Sequence, residues 1–161
     1  MTPEEPRFTW SIPEGGLMKT VLLADDEENL RILARITLDN PEYRIIEAVD
    51  GSTALALART EQPDLIVLDW MMPGTSGIEV ARTLRENLST AHIPIILLTA
   101  KGQEADREQG RLVGANAYLV KPFSPLELLE KVEEILLNPP RVSSVAAEAK
   151  TERTEETDLY P

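Results

Sequence analysis

The chain has 161 residues, which allows one domain with tails, and it contains no cysteine, which excludes disulfides and thiolate sites. Its 28 acidic and 16 basic residues give a net charge of −12, which disfavours binding to a nucleic-acid backbone as the main activity. A single histidine is too few for a histidine-based zinc site, and the apolar runs are too short to span a membrane. We expect a soluble acidic protein of the cytoplasm.

The composition changes near both ends of the chain. Residues 1–18 are rich in proline and glycine without sustained periodicity, and residues 138–161 are polar and charged after a Pro-Pro pair. We expect a flexible N-terminal extension and a disordered C-terminal tail. Met18 directly precedes the first apolar run and is a candidate natural start. The folded domain is predicted at residues 19–137.

Between these ends, short apolar runs alternate with segments of helical periodicity. The apolar runs predict strands at residues 21–24, 44–48, 65–68, 94–98 and 117–120. The periodic segments predict helices at residues 28–39, 50–60, 77–88 and 104–113 and a last helix beginning at 124–125. In the third of these, Val80, Leu84 and Leu88 are predicted to form the buried face. Five strands alternating with five helices predict a doubly wound α/β fold with a parallel sheet covered on both faces.

Four of the five predicted strands end at polar residues. These residues are Asp25, Asp26, Asp69, Thr99 and Lys121. In open α/β sheets, ligands bind beyond the carboxyl ends of the strands, and right-handed crossovers bring those ends to one edge. The sequence therefore predicts one pocket that holds three carboxylates, one hydroxyl and one ammonium group.

The chemistry of this set favours phosphoryl transfer. Carboxylates held close together repel one another and require a cation, and oxygen ligands without histidine or thiolate suit Mg²⁺. A lysine and a threonine can contact phosphate oxygens. A carboxylate can itself attack phosphorus and form an aspartyl phosphate, a reaction that needs mainly positioning and charge neutralisation.

Four fragments of the sequence follow or include the predicted strand ends: LADDE at 23–27, LDWMMPG at 68–74, LTA at 98–100 and YLVKPF at 118–123. Together they resemble the receiver domains of two-component response regulators, the CheY-like family. Each is weak alone, but the four in this order are specific, and the resemblance covers about residues 19–137. It implies a five-stranded sheet of order 2-1-3-4-5.

The resemblance also implies a role for each residue of the predicted pocket. Asp69 would accept a phosphoryl group from a histidine kinase or a phosphotransfer protein. Asp26 and Asp69 would bind Mg²⁺ directly, together with the main-chain carbonyl of Met71, and Asp25 would act through a metal-bound water. Lys121 would contact a phosphoryl oxygen.

By the same resemblance, Thr99 and Tyr118 would be switch residues. Thr99 would hydrogen-bond the phosphoryl group, and Tyr118 would follow it inward and alter the surface formed by the fourth helix, fifth strand and fifth helix. Pro122 would follow a cis peptide bond. Met71 and Lys101 would tune the lifetime of the phosphoryl group.

Other interpretations of these residues stay open. The acidic residues after the first strand can cap a helix, Asp69 can be a turn residue, and Tyr118 can be a half-buried strand tyrosine. An aspartate-nucleophile phosphatase is disfavoured because Met71, two residues after Asp69, has no proton to transfer. A scaffold-only pseudo-receiver is disfavoured because every site residue is present. Trp70 is predicted to be a partly exposed neighbour of the site.

We therefore expect a signalling domain and not an enzyme, beyond assisting its own phosphorylation and dephosphorylation. Twenty-four residues follow Leu137, too few for an effector domain, so a stand-alone regulator is expected unless the chain is a fragment of a longer one. Its output would be a protein partner, onward relay of phosphate, or phosphorylation-dependent homodimerisation. Direct binding to nucleic acid or to a membrane is not expected.

Overall fold

A computed structural model describes residues 18–100 and 104–137, with the side chains of residues 104–107 excepted. The strands are β1 (Lys19–Ala24), β2 (Tyr43–Ala48), β3 (Leu65–Asp69), β4 (Ile95–Ala100) and β5 (Ala117–Lys121). The helices are α1 (Glu28–Thr37), α2 (Gly51–Glu61), α3 (Gly77–Glu86), α4 (Glu104–Leu112) and α5 (Pro125–Leu137). All ten predicted elements are present. Residues 1–17 and 138–161, for which flexible or disordered tails are predicted, lie outside the described residues, and so does Lys101.

The five strands form one parallel sheet in the order β2-β1-β3-β4-β5, which confirms the predicted fold and strand order. Central strand β3 is buried along its whole length, because helices cover both faces of the sheet. This explains why its sequence is a continuous apolar run and not an alternation of apolar and polar residues.

Two apolar clusters fill the space between the sheet and the helices. On one face, α2 and α3 bury residues such as Ala54 and Val80 against the sheet. On the other face, α1 and α5 bury Ala34, Leu128 and Val132. The two clusters pack the helices on both faces of the sheet and leave its carboxyl edge to the connecting loops. Within the described residues, no helix has the length and apolar character needed to cross a membrane.

Local contacts and backbone geometry set the ends of several helices. Asp50 Oδ1 accepts a hydrogen bond from the N–H of Thr53 at the start of α2, at 2.8 Å. Ser76 begins α3 with a reciprocal capping box to Glu79. Gly114 ends the α4 segment with a φ of +86°, as expected for the residue that follows a helix.

Two predictions about apolar side chains are wrong. Helix α3 ends at Glu86, and Leu88, expected on its buried face, is 94% exposed, because the backbone at Asn87 is extended and turns the chain away. Trp70 is only 7% exposed and belongs to the α2–α3 cluster. The backbone N–H of Trp70 donates to the carbonyl of Leu98 at 2.9 Å. This bond continues the β3–β4 ladder and directs the indole inward.

Candidate functional site

The structure brings the predicted polar residues to the carboxyl edge of the sheet. Asp25 follows β1, Asp69 ends β3, and Lys121 ends β5. The Lys121 Nζ atom lies 3.0 Å from Asp69 Oδ1 and 3.3 Å from Asp25 Oδ2. One carboxylate oxygen from each of Asp25, Asp26 and Asp69 lies within 4.8 Å of the others. The carboxyl ends of β1, β3 and β5 and the loops that follow them therefore build a single acidic pocket around one lysine.

Asp69 is the buried centre of this pocket. It is the last residue of the central strand, and the chain behind it folds back tightly. The N–H of Gly77 donates to the carbonyl of Trp70 at 2.9 Å. A Cβ atom at Gly77 would lie 2.0 Å from the carbonyl oxygen of Asp69, so only glycine fits there. The backbone of α3 thus supports Asp69 from behind.

Asp25 is buried beside Asp69 and is bound through its own loop. Its N–H donates to the carbonyl of Ala48 at 3.1 Å, and its Oδ1 accepts from the N–H of Glu27 at 2.8 Å. Its Oδ2 is buried and has no hydrogen-bond partner among the described residues, although it is in ionic contact with Lys121. A buried carboxylate oxygen without a donor is a position at which a cation is favoured.

The electrostatics of the pocket show an excess of negative charge. Burial, followed by the charge of Asp25, raises the pKa of Asp69 to about 6, although Lys121 opposes the shift. Burial also raises the pKa of Asp25. Burial alone would lower the pKa of Lys121, but its hydrogen bond to Asp69 and the two carboxylate charges outweigh burial and raise it. One lysine therefore does not compensate the carboxylates.

The donor set fits a hard divalent cation. Asp25, Asp26 and Asp69 supply oxygen atoms only, and one of those atoms is a buried oxygen without a donor. A cation bound to these three residues would also offset the cost of burial that raises the pKa values of Asp25 and Asp69, and the repulsion from Asp25 that adds to the shift of Asp69.

The remaining predicted residues surround the pocket. Thr99 is buried near the end of β4, and Met71 is 69% exposed on the loop after β3. Tyr118 lies on β5 and packs on the α2–α3 cluster, with the backbone of α4 directly against its ring at Gly110. The Lys121–Pro122 peptide bond is cis. The functional roles of these residues stay predictions.

Two contacts of the site were not predicted from the sequence. Glu27 Oε1 lies 3.3 Å from Lys121 Nζ, so the lysine is shared among three carboxylates. The sequence predicts Gly77 only as the first residue of a helix, and a glycine eight residues after a strand-terminal aspartate is the signal that could have indicated the close backbone approach. The Glu27 contact has no comparable signal, because it depends on how β5 lies beside the β1–α1 loop.

The chain is similar in sequence to proteins of one known family. The sequence profile of the response regulator receiver domain matches residues 21–133. The phosphate regulon transcriptional regulatory protein PhoB of Pseudomonas aeruginosa is 48% identical over 118 residues, which cover 73% of this chain and 52% of that protein. The transcriptional regulatory protein ResD of Bacillus subtilis is 46% identical over 131 residues, which cover 81% and 53%. The chain thus spans about half the length of these relatives.

Solved structures of receiver domains and of a CheY protein are also similar to this chain. The chemotaxis protein CheY4 of Vibrio cholerae superposes with a TM-score of 0.69 at 34% identity, covering 73% of this chain and 98% of CheY4. The receiver domain of a Pseudomonas aeruginosa sensor histidine kinase superposes with a TM-score of 0.66 at 30% identity, covering 73% and 96%. That domain was solved with a magnesium ion coordinated in its active-site cleft.

Proposed function

Because the chain belongs to the response regulator receiver domain family, whose members are phosphoacceptors of two-component systems, we propose that it is a signalling switch phosphorylated on Asp69. One observation carries the proposal: the buried carboxylate that ends the central strand lies 3.0 Å from the ammonium group of Lys121. Asp25 and Asp26 complete the pocket. The arrangement suits a nucleophile whose product carries more negative charge than the reactant.

The proposed reaction transfers a phosphoryl group from a phosphohistidine of a histidine kinase or a phosphotransfer protein. A carboxylate oxygen of Asp69 forms a bond to phosphorus while the phosphorus–nitrogen bond of the donor breaks. The bonding electron pair stays on the imidazole nitrogen, which takes a proton from solvent. Lys121 then contacts a phosphoryl oxygen, and transfer of such groups depends mainly on this kind of positioning.

We propose that Mg²⁺ is the cation of this site. Asp26, Asp69 and the main-chain carbonyl of Met71 would hold it directly, and Asp25 would act through a bound water. The ion would neutralise negative charge that the carboxylates and the phosphoryl group bring together. The buried Asp25 Oδ2 atom without a hydrogen-bond donor supports this assignment.

The phosphoryl group would act on a two-state surface. Thr99 would hydrogen-bond a phosphoryl oxygen, and Tyr118 would move inward and change the face formed by α4, β5 and α5. The contact of Tyr118 with α4 at Gly110 supports this coupling, because a shift of the ring changes the packing of that helix. The domain would catalyse only its own phosphorylation and dephosphorylation, so we propose a switch and not an enzyme with turnover.

The output is proposed to be a protein partner that recognises this face, or onward relay of the phosphoryl group. Because kinases of this class use ATP, the cytoplasm is the proposed location. The resemblance to transcriptional regulators such as PhoB and ResD supports a second candidate, in which the same face controls transcription.

Incubation of the protein with Mg²⁺ and acetyl phosphate, followed by intact-mass measurement, tests the phosphoacceptor. We expect an adduct of one phosphoryl group that is lost in Asp69→Asn and on chelation of the metal. Asp50→Asn is the matched control, because Asp50 follows β2 at the same sheet edge and asparagine also caps a helix. An adduct that persists in Asp69→Asn would contradict the proposal.

A further inference from the structure

Arg31 of α1 connects the acidic pocket to the edge strand β2. Its Nη1 atom donates to the main-chain carbonyl of Asp25 at 2.9 Å, and its Nε atom donates to Glu47 Oε1 at 3.0 Å. The side chain is only 13% exposed. A single guanidinium group therefore spans from a strand carboxylate to the loop that carries Asp25 and Asp26.

This contact completes a set of bonds around Asp25. The Asp25 N–H donates to Ala48, its Oδ1 accepts from Glu27, and its carbonyl accepts from Arg31. Oδ2 is the one polar atom of Asp25 that these three bonds do not involve, and it lies 3.3 Å from Lys121 Nζ. These bonds fix the backbone and the carboxylate of Asp25 before any ligand arrives, and of the three partners Arg31 is the one that bonds through its side chain.

We propose that Arg31, held in place by Glu47, is a positioning residue that presets the β1–α1 loop for cation binding. The inference rests on the proposed function, because the bound cation is the one assigned to the phosphorylation site. Arginine suits the task because its planar group donates in two directions at once, which the single ammonium of lysine does not do. Groups that orient metal ligands without touching the metal contribute strongly to affinity.

A closely matched control is available on the same helix. Arg35 lies one turn after Arg31 and donates from Nη1 to the other oxygen of the same Glu47. Arg35→Gln and Arg31→Gln therefore remove the same charge and a contact to the same carboxylate. Only Arg31→Gln also removes a bond to Asp25, so a difference between the variants reports that bond.

Mg²⁺ affinity gives the first measurement. The titration follows tryptophan emission in a Trp10→Phe background, in which Trp70 is the sole tryptophan. We expect Arg31→Gln to raise the Kd for Mg²⁺ about 10-fold. We expect Arg35→Gln to stay within about twofold of the parent at 0.5 M salt, because salt screens distant charges. Arg31→Lys keeps the charge and most of the side-chain volume, and its Kd should lie between those of the parent and Arg31→Gln.

Amide hydrogen exchange of metal-free protein gives a second measurement. The N–H of Glu27, which donates to Asp25 Oδ1, should exchange faster in Arg31→Gln and Arg31→Lys than in Arg35→Gln. If the Arg31 variants lose only thermal stability and match Arg35→Gln in both measurements, Arg31 is merely structural and the inference is overturned. If the parent neither binds Mg²⁺ nor accepts a phosphoryl group from acetyl phosphate, the proposed function fails, and this inference fails with it.

Discussion

The carbonyl oxygen of Asp69 and the Cα of Gly77 approach so closely that a Cβ atom at residue 77 would lie 2.0 Å from that oxygen. We predict that Gly77→Ala displaces the backbone of Asp69 and destabilises the fold by roughly 1–3 kcal/mol, as overpacked sites do. A displacement of about 1 Å at a reacting group can cost on the order of 100-fold in rate. Urea unfolding and the rate of labelling by acetyl phosphate measure the two effects.

Gly74→Ala is the control for this prediction. Gly74 has a φ of +76°, but a Cβ atom there would meet no atom within 4 Å. Alanine at Gly74 therefore costs about 1–2 kcal/mol of backbone strain without moving Asp69. A labelling rate for Gly77→Ala equal to that of Gly74→Ala would show that the close approach does not position the nucleophile.

Asp69 should also make the stability of the metal-free protein depend on pH. Its pKa is about 6 in the folded state and about 4 when unfolded, so the folded state binds more protons between these values. The ionised carboxylate therefore destabilises the fold fully above pH 6, and the destabilisation fades as the pH falls through 6 towards 4. We predict that Asp69→Asn stabilises the chelated protein by on the order of 1–3 kcal/mol at pH 7.5, with a smaller gain at pH 5.

Urea midpoints measured in EDTA at the two pH values check this prediction. In the presence of Mg²⁺ the wild type should be more stable than Asp69→Asn, because the ion binds the folded wild-type site and stabilises that state by mass action. Asp50→Asn should show no such gain, because the bond from the Thr53 N–H lowers the pKa of Asp50. An Asp69→Asn protein less stable than wild type at pH 7.5 without metal would contradict the assigned electrostatics.

Gly110 of α4 should behave differently from an ordinary helical glycine. Glycine to alanine normally stabilises a helix by about 1 kcal/mol. Here a Cβ atom would lie 2.7 Å from Tyr118 Cε1 and 2.9 Å from Leu97 Cδ1. We predict that Gly110→Ala gives no such gain and shifts the aromatic NMR signals of Tyr118. In a Tyr118→Ala background the same substitution should recover part of the helix gain, because only the contact with Leu97 then remains, and an equal gain in both backgrounds would disprove the contact with Tyr118.

The sequence predicted the elements and the pocket because both follow from regular rules. Asp25, Asp69 and Lys121 meet because each ends or directly follows a strand of one parallel sheet, and strand ends can be located from apolar runs. Contacts that depend on how an element is rotated gave no such signal. The bridge from Arg31 to Glu47 joins a helix to a strand 16 residues away, and its geometry depends on the rotation of α1.

The wrong predictions have equally local causes. Leu88 fits the helical spacing of α3, but Asn87 leaves helical geometry first, and its Oδ1 accepts from the N–H of Ser89 at 3.0 Å. Side-chain bonds of this kind compete with the helix at its end. Trp70 follows a strand residue that faces the pocket, so its own side chain points to the opposite face and enters the core.

Arg85 is a partly buried guanidinium group that ties the opposite edge of the sheet together. It donates to the carbonyls of Gly114, Ala91 and Ile93 at 2.8, 3.0 and 2.7 Å, and to Asn116 Oδ1 at 3.1 Å. We predict that Arg85→Leu destabilises the protein by about 2–4 kcal/mol, because it leaves several carbonyls without their charged donor. Urea unfolding measures this loss.

The controls for Arg85 separate stability from site chemistry. Arg82→Leu removes an exposed arginine from the same helix and should change stability by less than about 0.5 kcal/mol. Arg85→Lys should fall between the two leucine variants, because one ammonium group cannot span the same carbonyls. Since these bonds lie at the edge opposite Asp69, Arg85→Leu should still be labelled by acetyl phosphate under conditions in which it stays folded. Loss of labelling in folded Arg85→Leu would show instead that this edge is coupled to the phosphorylation site.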